Sequence, residues 1–206
     1  MKNILISQKV KKKTKGYGFI LEDNWNKFFL NSKMRLVTLK LDEIKKKKID
    51  KLKLSGLILH GGNDLPNLIN KRENKIRKKI DTFLFRYAMS NKIPILAVCY
   101  GFQLVAQHFG SSLKKKTNHV KKNHLLNLNL FYKNNFYDTL KVNSYHNFVI
   151  NRLSKEFNYI CRHMDGSIEL AVSKKYKILC CMFHPERKSP DIKKQRKLVI
   201  SHFYKG

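Results

Sequence analysis

The segment from Ile93 to Gly110 leaves this chain few folds to choose from. Ile93 to Val98 is a short apolar run entered through Pro94, the pattern of a strand buried on both faces. Leu104, Val105, Ala106 and Phe109 continue as a short, largely apolar helix, and Gly110 is placed to end it. Between strand and helix lie Ala97-Val98-Cys99-Tyr100-Gly101. Small residues at Ala97 and Gly101 let the backbone turn sharply and lift the sulfur out of the sheet, as in a serine nucleophile elbow. Cys99 would then face the positive end of the following helix, which favours the thiolate. Taken alone, the segment fits a packed, inert cysteine equally well, because free cysteine is among the most buried residue types.

A second segment shifts that balance. Lys177 to Arg187 is another apolar strand, ending in His184-Pro185-Glu186. Pro185 biases His184 toward an extended backbone. Residues two apart in an extended segment point the same way, so Glu186 is placed to orient the His184 ring. A thiol on one strand end and a carboxylate-held histidine on another make a nucleophile, base and orienter.

The chain resembles the class I glutamine amidotransferases, in the branch that holds free-standing γ-glutamyl hydrolases. The resemblance rests on Gly61-Gly62-Asn63-Asp64, Ala97 to Gln103, Val142 to His146, and His184-Pro185-Glu186, which fall in family order. Ala97 stands where the family usually has Gly, and His60 where many members have Pro. Ala still fits an elbow with little crowding. The resemblance implies an α/β, flavodoxin-like fold, an open and mostly parallel sheet flanked by helices, with residues 1–206 as a single domain. It implies Cys99, His184 and Glu186 as catalytic residues. It also implies an oxyanion hole from Gly61, Gly62 and the Tyr100 N–H, two fixed donors being what a tetrahedral intermediate requires. Asn143, Ser144, Tyr145 and His146 become a wall for the glutamyl α-amino and α-carboxylate groups, with Gln103 reaching in from the nucleophile helix. The expected reaction is hydrolysis of a γ-glutamyl amide through a thioester, without cofactor or metal.

Within the family, the nearest resemblance is to hydrolases of γ-glutamyl-CDP-amidate, which serve capsular phosphoramidate synthesis. It is carried by Ile6-Ser7-Gln8-Lys9-Val10, Asn24 to Phe28 and the Gly-Gly-Asn-Asp-Leu loop. Hydrolysis of a γ-glutamyl polyamine or aminobutyrate is the nearest alternative. A glutaminase subunit serving a separate synthetase, and a nucleic-acid binder on an idle scaffold, are more distant ones.

Elsewhere the pattern predicts strands at Ile4 to Ser7, Arg35 to Leu39 and Gly56 to His60, and a basic loop from Lys9 to Gly18. Trp25 and Phe29 form an i, i+4 pair on a helix from Asp23 to Leu30. Arg72 to Asn91 is the clearest helix, with an apolar stripe of Ile76, Ile80, Phe83, Leu84, Tyr87 and Ala88, a capping pair of Asn70 and Glu73, and a purely structural role. Short strands and loops fill Ser111 to Lys141, with alternation from Leu126 to Leu130. His119 and His124 have no Cys or carboxylate at ligand spacing, so no metal site is expected there. Asn158 to His163, Ile168 to Val172 and Lys177 to Phe183 read as strands, with a hairpin turn at Asp165-Gly166. Ser189 as N-cap and Pro190 as first residue open a final helix.

The 206 residues carry a net charge of +30, from 44 Lys and Arg against 14 Asp and Glu. Such an excess suits an anionic partner. A lysine-rich proteome gives the same excess, and the abundance of Asn and Ile beside Lys agrees with it. The lysines are spread along the chain and are not interleaved with aromatics in a stacking pattern. The expected partner is therefore a small γ-glutamyl substrate, one bearing a nucleotide included, rather than nucleic acid or membrane. Four cysteines without C-x-x-C spacing fit a reducing compartment, and the short apolar run at the start is no signal peptide, so a cytoplasmic location is expected.

Overall fold

The computed structural model describes residues 1–40, 43, 44, 46–128 and 138–205. The chain begins with strand β1 (Lys2–Ile6) and a hairpin of β2 (Lys9–Lys12) and β3 (Tyr17–Ile20). Helix α1 (Asn24–Phe29), strand β4 (Met34–Val37), the short helix α2 (Lys46–Asp50) and strand β5 (Leu54–Leu59) follow. Then come α3 (Arg72–Ser90), β6 (Ile95–Val98) and α4 (Tyr100–His108). Strands β7 (Ser112–Lys115), β8 (Val120–Leu128), β9 (Thr139–Tyr145) and β10 (Phe148–Arg152) come next. The chain closes with β11 (Asn158–Arg162), β12 (Ile168–Ser173), β13 (Ile178–Cys181) and helix α5 (Ile192–Lys205).

One large sheet runs in the order β4-β1-β5-β6-β13-β12-β11-β8-β9. The first five strands are mutually parallel, and an antiparallel extension begins at β12. The expected open parallel sheet is therefore present. Alternation along its central strands divides the core. Leu57, Leu59, Ile95 and Ala97 pack on one side with Leu84, Phe85 and Ala88 of α3 and Phe102 and Val105 of α4. Ile58, Leu96 and Val98 pack on the other with Trp25, Phe29, Val199 and Phe203. A helix of six residues is not stable alone, but burial of Trp25, Phe28 and Phe29 at about 1.5–3 kcal/mol each holds α1 in place.

Four expectations are corrected. The basic loop is a hairpin, paired from Lys9↔Ile20 to Lys12↔Tyr17. Its period-two pattern is hidden by lysines, yet Val10 is buried and ties both its N–H and C=O to the Asn63 amide. Helix α3 buries Leu84 and Ala88 of the expected stripe and packs Ile80 and Tyr87 against the core, but Phe83 is exposed and the inward face extends to Asn74, Arg77, Asp81 and Phe85. Its N-cap is Lys71, with no side-chain cap bond, rather than Asn70. Helix α5 starts at Ile192, because the Ser189 hydroxyl is taken by the Lys141 carbonyl and the Gln195 amide. The turn at Asp165-Gly166 forms as expected, closed by the Gly166 N–H to the His163 carbonyl. The alternation expected at Asn129 and Leu130 lies outside the described residues. Among the described residues no helix is long and apolar enough to cross a membrane.

Candidate active site

Strands β5, β6 and β13 are neighbours and parallel, so the loops at their carboxyl ends meet. These loops carry Gly61-Gly62, Cys99 and His184. Cys99 sits at φ 50, ψ −102, in a backbone conformation that costs a non-glycine residue about 1–3 kcal/mol. Its N–H bonds the Cys181 carbonyl and its own carbonyl accepts the Gln103 N–H, which fixes the strained turn between β6 and α4. Gly101 makes the turn possible: a Cβ there would lie 1.9 Å from the Leu59 carbonyl oxygen. Ala97 is fully buried and fits without disturbing the turn.

His184 follows β13 and is buried against this turn. Its Nδ1 lies 2.7 Å from Glu186 Oε1, which leaves Nε2 on the side of Cys99: a Cβ at Gly61 would lie 3.1 Å from Nε2 and 3.3 Å from the Cys99 Cβ. Burial opposes charge on the ring, but the Glu186 carboxylate and the Cys99 sulfur outweigh it and hold the imidazole at about 10. Gly61 lies so close that a Cβ would come within 2.5 Å of the His184 ring.

The Gly61-Gly62 loop is held from below by Arg77, a fully buried residue of α3. Its guanidinium donates to the His60 carbonyl at 2.7 Å and the Gly61 carbonyl at 3.4 Å, and reaches Asn63 Oδ1 at 3.3 Å. It pairs with the buried Asp81 at 2.8 Å and lies 4.7 Å from the centroid of the Tyr100 ring. A helix read from sequence as purely structural thus positions the loop. Arg77 and Asp81, four residues apart, carried no sign of burial in the sequence. His60, where many family members have Pro, packs edge-on against Trp25, and burial pushes its pKa well below the ordinary histidine range.

A cavity of about 290 Å³ opens beside the sulfur. Of the predicted residues, Gly62, Cys99, Gln103, Tyr145, His146 and His184 line it. Gln103 anchors to the Phe148 carbonyl at 3.0 Å. Glu186 stands behind His184, and Tyr100 buries its ring beside Arg77 while its N–H begins α4. Asn143 and Ser144, expected in the substrate wall, are not among the cavity's residues. Asn143 instead binds the His184 backbone, and Ser144 donates to the His119 carbonyl.

Three charged residues given no role from sequence also line the cavity: Lys9, Asp64 and Arg187. Lys9 arrives on the hairpin mistaken for a loop. Arg187 directly follows the His-Pro-Glu motif, which was its one available signal. Its guanidinium forks onto Glu22 at 2.8 and 3.1 Å and lies 4.9 Å from the centroid of the Tyr145 ring. Burial raises the Glu22 pKa, but Arg187 more than offsets it and the carboxyl stays below its ordinary range.

The family described as Glutamine amidotransferase class-I matches residues 17–200. This chain belongs to that family. A γ-glutamyl-CDP-amidate hydrolase from Campylobacter jejuni is 31% identical over 140 residues, 66% of this chain and 64% of that protein. A glutamine-hydrolysing GMP synthase from Wigglesworthia glossinidia brevipalpis is 27% identical over 70% of this chain. The match spans just under two thirds of the first relative's length and 28% of the second's. Among solved structures, a candidate GMP synthase subunit from Thermoplasma acidophilum superposes with a TM-score of 0.72 at 18% identity. That superposition covers 100% of this chain and 95% of the other, so the amidotransferase fold is shared along its whole length.

Proposed function

We propose that this amidotransferase-family chain hydrolyses γ-glutamyl amides by covalent catalysis at Cys99. The observation that carries the reading is the linked set at the cavity: Cys99 and His184 share its lining, and Glu186 behind them holds His184 at 2.7 Å. The raised proton affinity of His184 favours a thiolate–imidazolium pair. The thiolate attacks the γ-carbonyl carbon, and the carbonyl electrons move to an oxygen received by the N–H of Tyr100 and those of the Gly61-Gly62 loop. Collapse of this intermediate breaks the C–N bond, and the departing nitrogen takes the proton from His184. The neutral ring then accepts a proton from water as its oxygen attacks the thioester, releasing glutamate and restoring the ion pair.

Support for γ-glutamyl-CDP-amidate as substrate comes from the relative that bears that name. Two cations, Lys9 and Arg187, and the half-buried Asp64 line the cavity, a charge pattern that suits a zwitterionic glutamyl group with an anionic leaving group. The GMP synthase likeness favours a second reading, a glutaminase that passes ammonia to a separate synthetase. Glutamate release from glutamine, γ-glutamyl-CDP-amidate, γ-glutamyl-aminobutyrate and a γ-glutamyl peptide, with Cys99→Ser as control, tests both. Preference for the nucleotide amidate is the expected result. Preference for the small amides would move the leaving group, and silence on all four would overturn free-standing hydrolysis.

A further inference from the structure

Next to the proposed catalytic cavity, three buried histidines face one buried carboxylate. Glu169 on β12 is 0% exposed, and His119, His124 and His146 are 2–4% exposed. Glu169 Oε1 lies 3.4 Å from His146 Nε2, 3.7 Å from His124 Nδ1 and 3.8 Å from His119 Nδ1. None of these contacts is a hydrogen bond: both Glu169 oxygens and all three nitrogens are buried without a partner. Unpaired buried polar atoms are costly, and several gathered at one point require a common explanation.

The spacing supplies it. These separations are long for hydrogen bonds but close to those between ligands of one ion. Zn–N and Zn–O bonds of about 2.0–2.2 Å at tetrahedral angles set donors about 3.3–3.6 Å apart. The ligand atoms of His119, His124 and Glu169 all lie within 4.8 Å of one another. Beyond them stands a supporting carboxylate. His119 Nε2 is 2.7 Å from Asp165 Oδ2, and Asp165 is itself fixed by Lys116 and Ser167. That bond commits the Nε2 hydrogen to Asp165 and leaves the Nδ1 lone pair aimed at Glu169, the carboxylate–histidine arrangement that orients metal ligands.

We propose that His119, His124 and Glu169 bind one divalent transition-metal ion of the zinc type, with His146 beside them, 3.4 Å from Glu169 Oε1. Imidazole and carboxylate donors suit such an ion. The three protein donors are buried and none of them lines the catalytic cavity, so the role is structural. The ion joins the first half of β8 to the start of β12. Among the described residues β8 meets β11 through the register pairs Cys161↔Leu128 and Arg162↔Asn127, and the ion adds a tie from β8 across to β12. By holding Glu169 it also fixes the carboxylate that faces His146, a residue of the cavity lining. The proposal revises the expectation of no metal site, which rested on the absence of a carboxylate near His119 and His124 in sequence. The sheet brings Glu169 to them from a distant strand.

The test uses the full chain carrying Cys99→Ser, which removes the active-site thiol as a competing ligand. After stripping with a chelator, the chain is titrated with Co²⁺ and Zn²⁺. One equivalent is expected to bind, with the intense visible bands of tetrahedral Co²⁺ and a Tm about 5–10 °C higher at saturating Zn²⁺. Glu169→Gln and His124→Gln should each raise Kd at least about 100-fold, and Asp165→Asn about 10–100-fold. A stripped chain whose Tm and cobalt spectrum do not respond overturns the proposal without reliance on any variant in the cluster. Unchanged affinity in folded Glu169→Gln overturns it too, placing the ion elsewhere, for instance at His163 and Asp165.

Discussion

Asn143 grips the backbone of His184 with both ends of its amide: Nδ2 donates to the carbonyl at 2.8 Å, and Oδ1 accepts the N–H at 2.8 Å. The pairing brings the far end of the sheet, β9, back to the carboxyl end of β13. It also fixes where the His184 ring starts, and so whether Nε2 reaches the sulfur.

Asn143→Ala should therefore act on positioning rather than on substrate affinity. It leaves the buried His184 N–H without a partner, at about 1–3 kcal/mol, while the His184 carbonyl keeps the Arg187 N–H. The expected outcome is lower stability in urea and a kcat at least about tenfold lower with KM little changed. A rise in KM alone would return Asn143 to the substrate wall.

Arg77 and Asp81 form a fully buried pair. Removing one partner strands the other charge, so Arg77→Met should destabilise the protein by about 3–5 kcal/mol. Adding Asp81→Leu should restore most of that stability. Turnover should not return with it, because the His60 and Gly61 carbonyls have still lost their donor. Denaturation and steady-state kinetics on the single and double variants separate the two effects.

The pH dependence follows from His184. Burial disfavours its charge, but Glu186 and Cys99 more than compensate and hold the ring at about 10, above the ordinary 6.5. A folded-state pKa above the unfolded one contributes stability that is complete below about 6.5 and is lost as pH rises through about 10. Wild type should exceed Glu186→Gln in stability most clearly near pH 6.5, with the gap closing toward pH 10 and above. A gap of constant size across that range would remove Glu186 as the source of the shift.

The parallel half of the fold was legible because each element carried its own period. Ile95 to Val98 is apolar throughout, α4 follows at once, and Cys99 between them is marked by the small residues either side. The charged parts were harder to read. Lysines on the outer face of β2 disguised a strand whose inner residue, Val10, is buried. Arg77 and Asp81 looked like solvent-facing helix residues, since no sequence pattern shows that two opposite charges will be buried against each other. Glu169 stands in a strand of apolar neighbours, and its relation to His119, His124 and His146 exists only once the strands pair. Long-range register, not local propensity, decided each of these.

The central claim is a covalent γ-glutamyl intermediate on Cys99, and intact-protein mass spectrometry reads it directly. Protein quenched with acid during turnover of γ-glutamyl-CDP-amidate should carry one added glutamyl group on Cys99, removable by hydroxylamine. The group should persist longer in His184→Ala if that variant is acylated at all, since water activation is lost with the ring. Sustained glutamate release with no adduct in wild type, together with full activity in Cys99→Ser, would contradict the account.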